Sequence, residues 1–398
     1  MEPRPRSRWL NQTVLGIGLA SLFSDWSHEI ATAVLPAFLA SLGASAAWLG
    51  AIEGIADGLS SFAKLASGFY TDRLRRRKPI AAAGYIVTAL GTASFGLASA
   101  AWHVLAARSA AWLGRGARTP VRKTLMAAAV DESALGRAFG FERMMDTLGA
   151  IAGPASAFLL LRALGGDYRA LFAWTLVPGL AAAGLIAFLV KERERKPVPY
   201  VSFAKSLRGL PPQFRRLLAA VGVFGLGDFA HSLLILLAVE KFSPSLGPAG
   251  AAAAATGFYL LHNVLYASFA FLAGWLADRF EKRLLLAAAY GLGAAMAGVV
   301  VAVPLGLGTL VAVFALGGIY VAGEETLEDS LTAELVREEE HGMAFGSLAT
   351  VNGIGDFASS LVVGALWAQF GVAAAFGYSA VLFAAGAALA LRVPRPRK

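Results

Sequence analysis

Three stretches of this sequence set ionisable side chains among apolar residues at helical spacing. Asp25, His28 and Glu29 lie in the first, Glu53, Asp57 and Lys64 in the second, and Arg108, Arg115, Arg118, Arg122 and Lys123 in the third. Asp25 and Glu29 are four residues apart, as are Glu53 and Asp57, so each pair shares a helix face. Removal from water favours the neutral acid, and two close carboxylates resist simultaneous ionisation. Asp25, Glu29, Glu53 and Asp57 are therefore candidate proton-coupling groups. Spacing leaves a second reading open, in which these acids form permanent pairs with an arginine or with Lys64. Arg108 and Arg115 are candidates for contacting an anionic solute, and the acids suit a cationic one, so the solute's charge stays open. His231 follows Asp228 in a later apolar stretch, and His262 precedes Asn263 in the next. His231 is a candidate cavity residue, although a buried histidine is more often just a hydrogen-bonded structural group.

The elements that must carry these residues follow from composition. The 398 residues are 57% hydrophobic and 15% charged, against roughly 45–50% and about 25% in soluble domains. Apolar stretches near residues 12–40, 46–70, 78–100, 103–127, 137–163, 169–190, 214–239, 250–277, 284–303, 306–330, 341–368 and 371–391 each reach the ~20 residues that a helix needs to cross a bilayer. The fold expected is all-α and integral to the membrane, with about twelve transmembrane helices. Asp25 then lies roughly 20 Å along its helix, near the middle of the bilayer, where an ionisable residue is costly and normally faces a cavity or a partner. The close glycine pairs Gly16/Gly18, Gly114/Gly116 and Gly149/Gly153 suit tight helix approach.

The net charge of +9 comes from short basic runs between apolar stretches, a pattern of membrane orientation rather than of nucleic-acid binding. One set of alternate loops, with the termini, carries 25 Lys and Arg, and the other set only Arg162, Arg169 and Lys241. Both termini are thus expected in the cytoplasm of a cell-membrane protein, the inner membrane in a Gram-negative source. The start, Met1–Arg8, reads as the lead into a retained first span and not as a cleaved signal. There is no cysteine, which excludes disulfides, thiolate zinc sites and cysteine nucleophiles. With no phosphate loop, metal-protease motif or nucleophile elbow in sight, no enzyme activity, cofactor or metal is expected.

A constant shift of 206 residues carries Gly68, Asp72 and Arg73 onto Gly274, Asp278 and Arg279. It also carries Gly136, Ala138, Phe139, Gly140 and Gly149 onto Gly342, Ala344, Phe345, Gly346 and Gly355. Two pseudo-symmetric six-helix bundles, 1–190 and 214–398, joined by a cytoplasmic linker at 191–213, account for this parallel repeat. Within the linker, Phe203, Leu207 and Leu210 form an apolar face beside Lys205 and Arg208, suited to headgroups or to a solvated tether. The same shift maps Arg118 onto Glu324, Arg122 onto Glu328 and Lys123 onto Asp329, reversing the charge at each position. These residues are candidates for a charge-paired gate that closes one side and parts when it opens, or else they anchor helix ends at the headgroups. Glu142, Arg143 and Asp146 begin the fifth span. Arg143 and Asp146 can pair with each other or with the fourth-span cluster.

The segment GFYTDRLRRRKP at 68–79 resembles the GxxxDRxGRRK signature of the major facilitator superfamily, with Arg75 in place of its second glycine. GWLADRFEKR at 274–283 is similar to the weaker second copy. Arg108 with GRG at 114–116 resembles the family's RxxxGxG pattern, Trp112 replacing the first glycine, and Gly149, Gly153 and Pro154 resemble the GxxxGP motif of proton-coupled exporters, without its final glycine pair. The resemblance covers essentially the whole chain. It implies a monomeric transporter whose central cavity opens to either side alternately, lined by spans one, four, seven and ten, and it adds Asp72, Arg73, Asp278 and Arg279 to the gating candidates. The function expected is secondary active transport of a small solute, driven by protons, with export preferred. Proton-coupled import of a small anion is the alternative, and a sensor or lipid-flipping protein of the same build comes after it.

Overall fold

Helix boundaries in this chain are written locally. Asn11 opens the first helix, its side chain accepting from the backbone N–H groups of Thr13 at 2.9 Å and Val14 at 3.1 Å, as an N-cap does. Asp167 does the same for Arg169 and Ala170. The computed structural model describes residues 9–44, 46–192 and 202–394. The readings placed on Met1–Arg8 and on linker residues 193–201 lie outside the described residues.

Among the described residues there are fourteen α-helices and no strand: α1 Gln12–Ser41, α2 Ala46–Thr71, α3 Lys78–Ala93, α4 Ala101–Ala128, α5 Leu135–Ala163, α6 Tyr168–Trp174, α7 Leu176–Leu189, α8 Phe203–Gly209, α9 Pro212–Gly225, α10 Ser232–Ala277, α11 Lys282–Ala302, α12 Leu307–Leu335, α13 His341–Phe370 and α14 Val372–Ala390. Eight helical stretches are long and apolar enough to cross a membrane by length and composition. The other four of the twelve expected spans are α1, α2, α4 and the seventh. The first three carry the ionisable clusters, which lowers their hydropathy and marks them as helices that face something other than lipid. The sixth span is α6 followed by α7, and the seventh and eighth share α10, which bends at Gly247 with φ 69°.

The seventh span corrects the sequence reading of one continuous helix at 214–239. The chain leaves α9 after Gly225 and re-enters helix at Ser232. Gly225 ends α9 and Gly227 lies within the break, and glycine costs about 1 kcal/mol in a helix interior. The backbone groups freed there find partners: Ser359 Oγ donates to the Asp228 carbonyl, and the Ala230 N–H donates to Ser360 Oγ at 3.1 Å. Irregular backbone at membrane depth persists only when it is satisfied in this way.

The chain divides into two compact units, Met1–Leu210 with Val336–Thr350, and Pro211–Leu335 with Val351–Lys398. In the first, α1 packs on α5 and α7, α2 on α4, and α3 on α4 and α7. In the second, α10 packs on α12, α11 on α12 and α14, and α9 on α14. In span numbers, the pairs 2 with 4, 3 with 4, 3 with 6 and 1 with 6 recur as 8 with 10, 9 with 10, 9 with 12 and 7 with 12, the packing expected of a six-span repeat. The repeated glycines serve this packing. A Cβ on Gly149 would collide with the Leu22 carbonyl and sit 3.0 Å from the Trp26 nitrogen, and one on Gly355 would sit 2.9 Å from Gly225 Cα. Each lets the fifth span of its half close on the first.

Candidate functional site

In the first unit, α1 and α4 run antiparallel and are joined by polar rungs. Ser21, Ser24, Asp25, His28 and Thr32 recur every three or four residues along α1, a stripe of one helix face. At one end of the ladder Arg122 Nη1 donates to Ser21 Oγ at 2.7 Å, and its Nη2 lies 2.7 Å from Glu142 Oε1. Ser21 donates to the same carboxylate at 2.9 Å. On the next rung Arg118 Nη2 donates to Ser24 Oγ at 2.7 Å, with its guanidinium 3.7 Å over the Tyr85 ring. Then Arg115 Nη2 lies 3.4 Å from Asp25 Oδ1. At the far end Arg108 Nη1 reaches Thr32 Oγ1 at 3.4 Å.

Arg108 also ties α4 to α2. Its Nη2 donates to both Glu53 oxygens, at 2.7 and 2.9 Å, while its guanidinium lies 3.7 Å over Trp112, whose Nε1 donates to Asp57 Oδ1 at 2.5 Å. Glu29 is half-buried, 3.7 Å from His28 Nε2. The four proton-coupling candidates thus fall on two helices that α4 bridges, Asp25 held by Arg115, Glu53 by Arg108 and Asp57 by Trp112. Both uses foreseen for Asp146 occur: it lies 3.2 Å from Arg143 and 3.8 Å from Arg122.

The loop signature is built around a helix start. Asp72 accepts from the backbone N–H groups of Gly342 at 2.8 Å and Met343 at 2.7 Å, the first turn of α13, where a carboxylate complements the positive end of the helix. Arg73 stacks 3.5 Å over Phe69 and donates to Ser206 of α8 at 2.7 Å. Phe203 packs on Phe69 at 5.4 Å, and Leu210 is buried, while Leu207 remains exposed. The second copy differs: Asp278 caps the C-terminus of α10, and Arg279 is exposed, stacked 3.5 Å over Trp275.

In the second unit, carboxylates meet tyrosines. Tyr290 donates to Glu328 Oε1 at 2.5 Å, with Asn352 donating to its other oxygen at 2.8 Å. Tyr320 donates to Asp228 Oδ1 at 3.0 Å, in the break of the seventh span, and Tyr266 donates to Glu325. Glu324 is buried. His231 is half-buried beside His262, their rings 4.7 Å apart. Arg122 and Glu328 each have partners inside their own unit.

The family model for the Major Facilitator Superfamily matches residues 17–259 and 217–398. The chain belongs to the major facilitator superfamily. It is a multi-pass membrane protein of a family of secondary transporters. An uncharacterised MFS-type transporter of Methanocaldococcus jannaschii is 25% identical over 363 residues, covering 90% of this chain and 89% of the relative. In fold, the chain is similar to the human organic anion transporter MFSD10, with TM-score 0.80, 17% identity and coverage of 95% of this chain and 99% of that one. It is also similar to the fucose:proton symporter of E. coli, with TM-score 0.71, 16% identity and coverage of 97% and 100%.

For this superfamily member, sequence reasoning found the arginines of α4 and offered the acids of the first two spans as their partners, as Asp25 and Glu53 are, but it missed other groups that hold them. Ser21, Ser24, Tyr85 and Glu142 escaped the list of site residues. The missing signal was the polar stripe on α1, legible as Ser, Ser-Asp, His and Thr at three- and four-residue intervals.

Proposed function

We propose that this transporter is proton-coupled and moves a small solute by alternating access, with the Asp25–Arg115 pair as its coupling element. The observation that carries the reading is that Asp25 is nearly buried and its partner Arg115 is partly exposed, 10% and 30% by side chain. A proton on Asp25 cancels the charge that holds Arg115 and leaves the guanidinium available. Protonation and solute binding then act on one group, which makes them energetically linked. Glu29, one turn further along the helix, and Glu53 and Asp57 on α2 are auxiliary acids in this scheme.

The closed pair also favours one direction of coupling. A cationic solute would have to displace Arg115 from Asp25, whereas an anion needs only Asp25 to take a proton, so proton and anion bind together and travel together. The preference for export rests on Gly149, Gly153 and Pro154, and those glycines seat α5 against α1, a role neutral about direction. A ligand-stabilisation screen on the purified protein identifies the solute, and its flux into proteoliposomes is then compared with and without an imposed pH gradient. Flux that ignores the gradient would refute proton coupling.

A further inference from the structure

Each interior arginine of α4 but one has a carboxylate. Arg108 has Glu53, Arg115 has Asp25 and Arg122 has Glu142. Arg118 is just 2% exposed, donates to the hydroxyl of Ser24 and rests on the Tyr85 ring. Its Nε and Nη1 are buried without a hydrogen-bond partner, and the Tyr85 hydroxyl is buried as well. Nε is unpartnered in Arg108 and Arg122 as well, but there the cation is already paired. A guanidinium out of water with neither counter-charge nor a full set of acceptors is expensive. An unsatisfied buried donor in a native protein calls for an explanation.

We propose that Arg118 anchors the transported solute, and that the solute is a small organic or inorganic anion. The anion takes the place that a protein carboxylate fills on the neighbouring rungs. The proposal rests on the secondary-transporter reading and names its substrate class. Ser24 is the residue that leaves the place open, for it stands on the α1 stripe beside Asp25 and presents a hydroxyl where an acid would close the pair. The guanidinium supplies directional N–H donors suited to a carboxylate or oxyanion, and the Tyr85 hydroxyl supplies one more donor close by. Arg115 lies one turn away on the same face of α4. When Asp25 is protonated, Arg115 adds a second positive charge to the site, so protonation strengthens anion binding at Arg118.

The test uses the purified full-length protein in detergent, with thermal unfolding read during titration with nitrate, acetate, lactate, benzoate or phosphate. At least one of these anions is expected to stabilise the wild type saturably. Arg118→Gln should weaken that effect at least about tenfold, as the loss of a charged hydrogen bond does. Ser24→Asp provides an internal carboxylate. It should raise the unfolding temperature in anion-free buffer, which also shows that the variant folds, and abolish the response to anions. Substituting the exposed Lys241→Gln should change neither. No stabilisation by any of the five anions, or a response retained in both Arg118→Gln and Ser24→Asp, would overturn the proposal. An equal loss in Glu324→Gln would assign the effect of Arg118 to a gate and overturn it too. Asp25→Asn separates this idea from proton coupling: it mimics the protonated acid and should bind the anion at least as tightly as the wild type in detergent, so a gradient-independent wild-type flux defeats the coupling scheme without touching the anion site.

Discussion

Asp25 on α1 and Arg115 on α4 form an ion pair, Oδ1 to Nη2 at 3.4 Å, in a helix pair whose other rungs are neutral or closed on other elements. Replacing Asp25 by Asn keeps the shape and removes the charge. Transport driven by a pH gradient should then be lost, while exchange of solute between equal pools stays measurable and the dependence of flux on pH flattens. Full gradient-driven flux with an unchanged pH profile in proteoliposomes would transfer the role to Glu53 and Asp57.

Whatever Glu53 adds to coupling, its contact with Arg108 should contribute to stability. Arg108 is 2% exposed and Glu53 36% by side chain, so losing the carboxylate strands a buried cation, at a cost of about 1–3 kcal/mol for a partly solvated pair. Glu53→Gln is expected to lower the unfolding temperature. Arg108→Met combined with Glu53→Gln should be less damaging than the sum of the two single changes, because the stranded charge goes with it. Additive losses in that cycle would show that the two residues do not interact.

Asp72 should hold the first turn of α13. Its two oxygens accept from Gly342 and Met343, and a cap of this kind contributes about 1–2 kcal/mol. Asp72→Ala is expected to speed hydrogen exchange at the Gly342 and Met343 amides, and Asp72→Asn, which keeps one acceptor, to give an intermediate rate. Unchanged exchange in the alanine variant would remove the cap from the account.

Orientation follows from the basic loops. The Arg73–Lys78 run and the linker should be cytoplasmic together with both termini. Arg77 and Lys78 are also fixed structurally, because Glu192 accepts from their backbone N–H groups at 2.7 and 2.9 Å and caps α3. Single cysteines placed at Arg76 and at Gly166, in this cysteine-free chain, should be labelled by a membrane-impermeant thiol reagent from opposite sides. Labelling of both from one side would sink the assignment of every loop.

The spans, the repeat and the loop signature were legible in the sequence because each rests on local pattern: apolar length, a constant shift, and Gly68 and Asp72 at fixed spacing. Partner choice was not. The acids at 25, 53, 142 and 146 were all within plausible reach of the α4 arginines, and only packing decides that Arg115 takes Asp25 while Arg122 takes Glu142. The break in the seventh span was hidden for a different reason. Residues 214–239 are apolar throughout their length apart from a few positions, and hydropathy does not register whether the backbone is wound. Gly225 and Gly227 beside Asp228 were the available sign, since glycine-interrupted apolar segments mark irregular helices in transporters.

That break gives the last prediction. Tyr320 donates to Asp228 Oδ1 at 3.0 Å, and its ring packs 5.7 Å from Phe383 and 6.2 Å from Phe224. Tyr320→Phe keeps the ring contacts and deletes the hydroxyl alone, so it isolates the hydrogen bond to a carboxyl group, about 1–3 kcal/mol if the acceptor is charged. The unfolding temperature should fall, and amides at 226–231 should exchange faster, because the bond fixes the unwound segment. Asp228→Asn should cost less, since the Tyr320 hydroxyl can still donate to the amide oxygen. The order of these two effects carries the argument: a loss in Tyr320→Phe that exceeds the loss in Asp228→Asn makes the tyrosine the clamp of the break. No change in Tyr320→Phe would mean that the backbone bonds to Ser359 and Ser360 hold the segment by themselves.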